Sequence, residues 1–232
     1  MIKLEGVKRN VLSVGLVMLI TPSSLHPNKV IIMAKGTNDI ILRDRLQFDI
    51  DNTGNTSLVY GRVDCSDYVS IPENKGLAVK EIRFQLRSPT SSPVGSWPLN
   101  LINDNKSTGA RAQVKVFAST TAYEQVQDVG IASPNVICVM ERESVYVVPD
   151  ATLPAADRKP SVLHEESWFG TPDLHPEGYD IVTDLLIGIA LSGCDVQGLA
   201  DSTAELDVMI ICEPKKITSK DLTQMLSQAQ DL

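Results

Sequence analysis

The sequence Val79-Lys80-Glu81-Ile82-Arg83-Phe84-Gln85-Leu86-Arg87 alternates polar and apolar side chains almost without error. A period of two describes a β-strand with one solvated face and one buried face. The same alternation recurs over residues 111–116 and 205–210. Antiparallel sheets around one core are the simplest arrangement for such strands, and we therefore predict an all-β protein.

Short candidate strands separated by turn-forming residues recur along most of the chain. They cover residues 45–50, 57–64, 79–87, 111–118, 135–140, 145–148, 181–191 and 205–212. Eight strands suffice for a two-sheet sandwich, which predicts a single antiparallel β-sandwich domain over residues 37–216. Residues 51–55 and 103–109 are rich in Asn, Asp and Gly, which predicts exposed hairpin tips.

The last residues of the chain, 217–232, carry its clearest helical pattern. Thr218 or Ser219 can cap the first turn, and the apolar residues that follow recur at i, i+3, i+4 and i+7: Leu222, Met225, Leu226 and Ala229. We predict an amphipathic C-terminal helix, which must bury its apolar stripe on its own sandwich or on a partner subunit.

Two long connections are rich in proline, which cannot donate to a strand ladder. Residues 88–100 contain three prolines and residues 149–178 contain five. The second connection holds the side chains that we select for contact with a partner: His164, Trp168, Phe169 and His175. A loop of about thirty residues is usually functional, which favours a pocket or a contact with a neighbouring subunit. Packing of Trp168 and Phe169 over the protein's own core is an equally good interpretation.

The charge distribution argues against nucleic acid as a partner of the folded body. The chain has 29 acidic and 21 basic residues, for a formal net charge of -8. Residues 1–45 hold seven Lys or Arg and three acids, whereas residues 121–213 hold three Lys or Arg and seventeen acids. An acidic surface keeps a protein soluble but repels phosphate backbones, so we expect no direct sequence-specific binding of nucleic acid.

The N-terminal residues 1–36 allow three interpretations. Three basic residues precede the apolar run over 11–20, which has the outline of a signal peptide, but no Ala-type cleavage site follows the run. Ten apolar residues are too few to span a bilayer. The segment is therefore a leader, an arm that contacts a neighbouring subunit or a membrane surface, or an extension that precedes a start at Met33. In the second case the contact residues are Leu16, Val17, Leu19 and Ile20.

No pattern of catalytic, metal-binding or cofactor-binding residues stands out. The four cysteines are far apart, and we expect buried free thiols. Neither a Cys-x-x-Cys zinc motif nor a nucleophile elbow, phosphate loop or dinucleotide fingerprint occurs, so no cofactor, metal or catalytic residue is predicted. A glycosidase needs only two carboxylates from distant strands, and the acids that could serve are Glu141, Glu143, Glu165, Glu166 and Asp184.

A basic and partly apolar N-terminal arm, about eight strands with Pro-rich connections and an acidic body together resemble the single jelly-roll coat proteins of icosahedral viruses. The resemblance extends over nearly the whole chain as architecture. It implies a jelly-roll-like sandwich that self-associates through its edges, loops and arm within a virion. Residues 1–45, which include the arm, hold only seven Lys or Arg, and this favours contact of the arm with a membrane or another capsid subunit over packaging of a genome.

We therefore expect a structural protein rather than an enzyme, with copies of itself and other capsid subunits as partners. The alternative is a secreted or envelope-facing β-sandwich that binds carbohydrate or protein ligands. The third hypothesis is a glycosidase-like enzyme.

Overall fold

The computed structural model describes residues 38–89, 92–103, 109–148, 161–170 and 178–228. These ranges contain nine strands, two short 3-10 turns and one α-helix. The strands are β1 (Ile40–Ile50), β2 (Thr56–Val63), β3 (Lys75–Arg87), β4 (Ala110–Ser119), β5 (Val136–Val147), β6 (Ser161–Gly170), β7 (Tyr179–Ile181), β8 (Leu185–Ser192) and β9 (Ser202–Lys216). The helix α1 spans Ser219–Gln228 and the 3-10 turns span Ile71–Glu73 and Val126–Asp128.

The strands form two antiparallel sheets, which confirms the predicted β-sandwich. The order is β1-β9-β3-β7 in the four-stranded sheet and β2-β8-β4-β5-β6 in the five-stranded sheet. If β6 is set aside, the first strand pairs with the last, the second with the last but one, and so on to the hairpin of β4 and β5. This is the pairing of one long hairpin rolled into two sheets, which defines a jelly roll. Strand β6 is an additional edge strand beside β5.

The strand that predicts the fold contains one interruption of its alternation. In the pairing of β3 with β9 the register shifts between Val79 and Glu81, which leaves Lys80 as the extra residue of a β-bulge. Leu77 and Val79 face the core before the bulge, and Ile82 faces it afterwards. The two adjacent polar residues Lys80 and Glu81 are the sequence signature of this bulge.

The core lies between the two sheets and is built from alternate residues of the strands. The predicted core residues Ile82, Val114, Val116, Leu206, Val208 and Ile210 are buried, whereas Phe84 and Leu86 are half-buried and pack against the same core. The four cysteines are buried free thiols, as expected. Among the described residues, no helix is long and apolar enough to cross a membrane.

Three predicted element boundaries are wrong. Residues 135–148, predicted as two strands, form the single strand β5, while residues 181–191, predicted as one strand, divide between β7 and β8. The predicted loop over 149–178 contains the ten-residue strand β6. His164, Trp168 and Phe169 therefore lie on a sheet edge rather than on a loop.

Helix α1 packs on its own sandwich, which decides between the two predicted positions. Leu222 is buried against Val182 and Ile217, and Met225 is half-buried beside them. The cap is as predicted: the Asp221 backbone N–H donates to Thr218 Oγ1 at 3.2 Å, and the Thr218 hydroxyl donates to Asp221 Oδ2 at 2.6 Å.

Candidate assembly surface

The outer edge of β6 is the most exposed strand surface that the structure describes. Strand β6 pairs with β5 in a continuous antiparallel register over ten residues, from Val147 opposite Ser161 to Cys138 opposite Gly170. No described strand lies beyond it. A free edge presents backbone N–H and C=O groups that can pair with another chain. This edge is therefore a candidate contact surface.

Apolar side chains are exposed along the same hairpin. Of the eight large apolar side chains that the structure shows as exposed, four belong to β5, β6 or the residue that follows β5: Val147, Val148, Leu163 and Phe169. Leu163 is 62 % exposed and lies opposite Val145, and Phe169 is 39 % exposed and lies opposite Val139. Residues 163 and 169 share the outer face of the sheet because they are an even number of positions apart.

The other three sheet edges each carry a feature that discourages pairing. Strand β7 has only three residues, and the pairing of β2 with β8 contains a register shift between Thr56 and Val59. Strand β1 carries three consecutive charges, Arg43, Asp44 and Arg45. Short, bulged and charged edges resist pairing with other chains. Strand β6 carries two adjacent acids, Glu165 and Glu166, but it is long and regular and contains neither Lys nor Pro.

The outer face of the four-stranded sheet is a network of charges. On the central strand β9, Glu205 and Asp207 lie between arginines of the two neighbouring strands. Arg45 Nε donates to Asp207 Oδ1 at 2.6 Å, and Arg87 lies 3.1 Å from Glu205 Oε2. Burial would raise the pKa of Asp207, but its hydrogen bonds and ion pairs with Arg45 and Arg87 hold that pKa below its usual value. The acids of this face are thus engaged within the sheet.

The carboxylates that a glycosidase could use are placed mainly in structural pairs. Arg111 donates two hydrogen bonds to Glu143, at 2.5 and 2.7 Å, and these bonds lower the pKa of Glu143. A catalytic acid needs the opposite shift. Lys115 Nζ lies 2.9 Å from Glu141, and Asp184 accepts from Arg62 and from the backbone of Cys65.

Two of these acids belong to the candidate edge itself. Glu165 and Glu166 are exposed on β6, opposite Glu143 and Arg142 respectively. Consecutive strand residues point to opposite faces, so the two carboxylates do not converge on one site.

A cleft of about 640 Å³ lies between the 3-10 turn Val126–Asp128 and the outer face of the five-stranded sheet. Its lining combines charged residues such as Lys115 and Glu141 with apolar residues such as Leu58 and Val126, and no aromatic residue lines it. Aromatic platforms are the usual base of sugar-binding sites because they cover the apolar face of the ring. The lining of this cleft therefore gives little support to carbohydrate recognition.

The connection that walls this cleft is fixed by an aromatic cluster on the outer face. Tyr60 donates from its hydroxyl to the Tyr123 carbonyl at 3.0 Å and accepts from the Tyr123 backbone N–H at 2.7 Å. The Phe117 ring meets both tyrosine rings edge to face, with centroids 5.8 and 6.4 Å away. Gly188 makes room for Phe117, because a Cβ there would lie 2.2 Å from the ring.

The four cysteine thiols are not placed to act as nucleophiles. Burial raises the pKa of Cys65 to about 11 and those of Cys138, Cys194 and Cys212 to about 12. A thiol is nucleophilic as the thiolate, which such values suppress at neutral pH. No three His, Cys, Asp or Glu side chains of the described ranges gather into a group that could hold a metal ion.

The remaining predicted contact residues have different placements. His164 is exposed on β6, where its Nδ1 lies 2.9 Å from the Ser144 hydroxyl. Trp168 belongs to the same strand, opposite Met140. His175 and the four arm residues Leu16, Val17, Leu19 and Ile20 lie outside the described residues. Their contact roles stay predictions.

Sequence reasoning missed Leu163 and Val147 as parts of this surface. One signal was present: Pro160 and Pro172 bound an eleven-residue stretch without proline, in which Val, Leu, Trp and Phe stand at the two ends. These residues favour strands, but the polar centre His164 to Ser167 breaks the alternation that identifies a half-buried strand.

No known protein-family model matches this chain, and no curated protein or solved structure matches it.

Proposed function

We propose that this protein is a structural subunit of a large assembly, and that the assembly is a viral capsid. The observation that carries the proposal is the regular, ten-residue strand β6, which no other described strand pairs on its outer side and which exposes Leu163 and Phe169 on one face. Soluble proteins that work alone blunt such edges, because an open edge with apolar side chains recruits other chains. An edge of this kind suits a protein whose purpose is to associate.

The strand order supports the capsid form of the assembly. Eight of the nine strands follow the jelly-roll pairing, a fold that viral capsid proteins share with lectin domains and cupins. A cupin binds a metal inside its barrel, for which the described residues offer no cluster. A lectin needs a sugar platform, and the cleft of about 640 Å³ beside the Val126–Asp128 turn has no aromatic residue in its lining. The fold alone does not assign a function, and the capsid interpretation depends chiefly on the exposed edge of β6.

The proposed partners are further copies of the chain and other capsid subunits, within a virion. The arm of residues 1–36 would add contacts with a neighbouring subunit or with a membrane, through Leu16, Val17, Leu19 and Ile20. These four apolar residues follow three basic ones, a combination that suits an anionic membrane surface as well as the acidic body.

The proposal is tested by the mass of the purified full-length chain in solution. Light scattering coupled to size exclusion gives the mass, and negative-stain electron microscopy shows the particles. We expect closed oligomers such as pentamers or hexamers, or shells, over a range of protein concentration and salt. A monodisperse monomer at every concentration would overturn the proposal. A monomer that has lost its first two dozen residues on secretion would instead favour the secreted binding protein.

A further inference from the structure

We propose that two copies of this chain pair through β6, as antiparallel neighbours about a two-fold axis that passes beside Glu166. The five-stranded sheets of the two copies would then form one continuous sheet of ten strands. This inference rests on the proposed assembly function and names one contact within it. It follows from the shape of the edge, from the positions of its apolar side chains and from its lack of bulges.

A second copy is the occupant that the edge itself favours. An antiparallel two-fold contact uses the same strand twice, so it requires only one edge that is long, regular and exposed. Strand β6 has ten residues in unbroken register with β5, and the edges of β1, β2 and β7 are charged, bulged or short. A pairing of β6 with β7 would be shorter, a pairing with β2 would be distorted, and a pairing with β1 would meet three consecutive charges. The pairing of β6 with itself uses its full length.

The apolar side chains select the register. Side chains that face each other across a sheet share a face, so the two-fold axis must pass beside a residue and not between two residues. Leu163 and Phe169 each lie three positions from Glu166. An axis beside Glu166 therefore places Leu163 opposite the partner's Phe169, and Phe169 opposite the partner's Leu163. Aliphatic and aromatic residues in such cross-strand pairs stabilise a sheet.

A different position of the two-fold axis removes both pairs of Leu163 with the partner's Phe169. With the axis beside Glu165, Leu163 would face the partner's Ser167 and Phe169 would face the partner's Ser161. Both exposed apolar side chains would then lie against hydroxyl groups. The register centred on Glu166 is the one in which both exposed apolar residues of β6 are covered.

The same register brings the two Glu166 side chains together on the opposite face. Like charges directly opposite each other weaken a sheet. Arg142 lies opposite Glu166 on β5, so an arginine flanks each glutamate on its far side. The repulsion within this one pair is opposed by two stabilising apolar pairs and by the backbone hydrogen bonds between the two β6 strands. Because the two Glu166 carboxylates repel each other, we expect the isolated dimer to dissociate reversibly.

Cysteine cross-linking of the full-length chain tests the register. The four native thiols are buried, so an introduced exposed cysteine is the reactive one. Glu166→Cys places the two new thiols opposite each other at the axis, and mild oxidation is expected to give a covalent dimer. His164→Cys is the matched control: it is exposed on the same strand and face, but the two copies of residue 164 lie roughly 13 Å apart along the ladder. A disulfide cannot span that distance.

The expected result is a dimer band with Glu166→Cys that exceeds the band with His164→Cys at least tenfold. The double variant Leu163→Cys, Phe169→Cys should also cross-link between copies. Absence of the Glu166→Cys dimer, or equal cross-linking from His164→Cys, would overturn the register.

A second measurement tests the edge without new thiols. Phe169→Lys introduces a charge at the proposed contact, whereas Val94→Lys makes the same change at a residue that is 84 % exposed on the Pro-rich connection. Sedimentation of the two variants should show association weakened at least tenfold by Phe169→Lys and unchanged by Val94→Lys. Equal association of both variants would refute the β6 contact.

The two proposals fail separately. Large particles without a Glu166→Cys dimer would leave the assembly function standing and remove the β6 pairing. A Glu166→Cys dimer from a chain that never exceeds a dimer would retain the pairing and remove the assembly function.

Discussion

Lys80 and Asp39 form an ion pair at the β-bulge of strand β3, with 2.7 Å between Nζ and Oδ1. The Asp39 side chain is fully buried, just before β1, and Lys80 also contacts Glu213 of β9 at 2.5 Å. The bulge thus directs one lysine toward an acid of the neighbouring strand β9 and toward an acid that precedes β1, the strand beyond β9. Its ammonium neutralises a carboxylate at the edge of the core.

Lys80→Met should destabilise the protein by about 3 kcal/mol. The substitution keeps most of the side-chain volume but removes the cation that faces the buried Asp39 carboxylate, and a buried charge is costly without compensation. Urea unfolding followed by fluorescence or circular dichroism measures the change.

Lys75→Met is the control for this prediction, because Lys75 pairs with Glu73 and both side chains are more than half exposed. We expect a change of less than about 0.5 kcal/mol. The hydrogen bonds to Asp39 and Glu213 raise the pKa of Lys80. The stabilisation by Lys80 is therefore complete at neutral pH and is lost as the pH rises above about 10.5. Wild type and Lys80→Met should converge in stability there, and parallel profiles would contradict this account.

Gly188→Ala should destabilise the outer face of the five-stranded sheet. The new Cβ would lie 2.2 Å from Phe117 Cζ, so the ring must leave its place between Tyr60 and Tyr123. Overpacking of this kind costs about 1–3 kcal/mol. Near-ultraviolet circular dichroism should change as well, because the aromatic cluster loses its fixed geometry.

Gly61→Ala is the matched control on the neighbouring strand β2. The three atoms nearest to a Cβ at residue 61 would all belong to Leu46, the nearest at 3.4 Å, which is an ordinary contact. Alanine also restricts the unfolded chain more than glycine does, so we expect no loss of stability or a small gain. Equal destabilisation by the two variants would mean that the loss comes from the strand backbone and not from Phe117.

The alternation over 79–87 predicts the sandwich but not which residues are completely covered. Lys80 and Glu81 are two adjacent polar residues in that stretch, and the bulge they form moves the core-facing set from Leu77 and Val79 to Ile82. Period-two reasoning correctly placed Phe84 and Leu86 on the inner face. Their half-burial depends on how far the opposite sheet extends, which is a property of packing and not of the local sequence.

The candidate surface was predicted only in part. His164, Trp168 and Phe169 were selected from the long Pro-rich connection, and the structure places them on β6. The strand was missed because an edge strand that is exposed on both faces has no hydrophobic period, and its pairing with β5 is a long-range contact. The jelly-roll pairing order is non-local in the same way. Strand spacing suggested the number of strands but could not give their order.

Ile82→Ala should cost about 2–5 kcal/mol, because it leaves a cavity where a fully buried side chain was. Phe84→Ala should cost less than the 3–5 kcal/mol that is usual for a buried aromatic residue, since Phe84 is half-buried. Comparison of the two changes in unfolding free energy shows which of the two side chains lies nearer the centre of the core. A larger loss of stability in Phe84→Ala than in Ile82→Ala would contradict this account, because it would place Phe84 nearer the centre of the core.

The four native thiols should be unreactive in the folded protein. Ellman's reagent at pH 8 should detect none of them until the protein is unfolded in guanidinium chloride, when all four react. Because burial raises the pKa of each thiol in the native state to about 11 or 12, the unfolded state ionises first as the pH rises above 9. Stability should therefore decline from about pH 9 to about pH 12. Rapid labelling of any thiol at pH 8 would contradict its placement in the core.

Deletion of residues 1–32 should leave a folded body that no longer forms large particles or binds membrane. The core residues that the structure describes lie beyond Asp39, so the truncated chain keeps the contacts among them. The deleted part carries Leu16, Val17, Leu19 and Ile20, and each apolar side chain removed from water contributes about 1.5–3 kcal/mol to an association. A few such residues in every subunit decide whether subunits remain together.

A full-length variant with serine at these four positions keeps the length of the arm and removes its apolar side chains. A second variant, with glutamine at Lys3, Lys8 and Arg9, removes the positive charge and keeps the apolar run. Light scattering and flotation with anionic vesicles measure assembly and membrane binding in each case. We expect the serine variant to behave like the truncated chain, because the apolar run is what the arm can bury. If the truncated protein assembles as well as the intact chain, the arm is a leader or an extension, and the sandwich edges alone hold the subunits together.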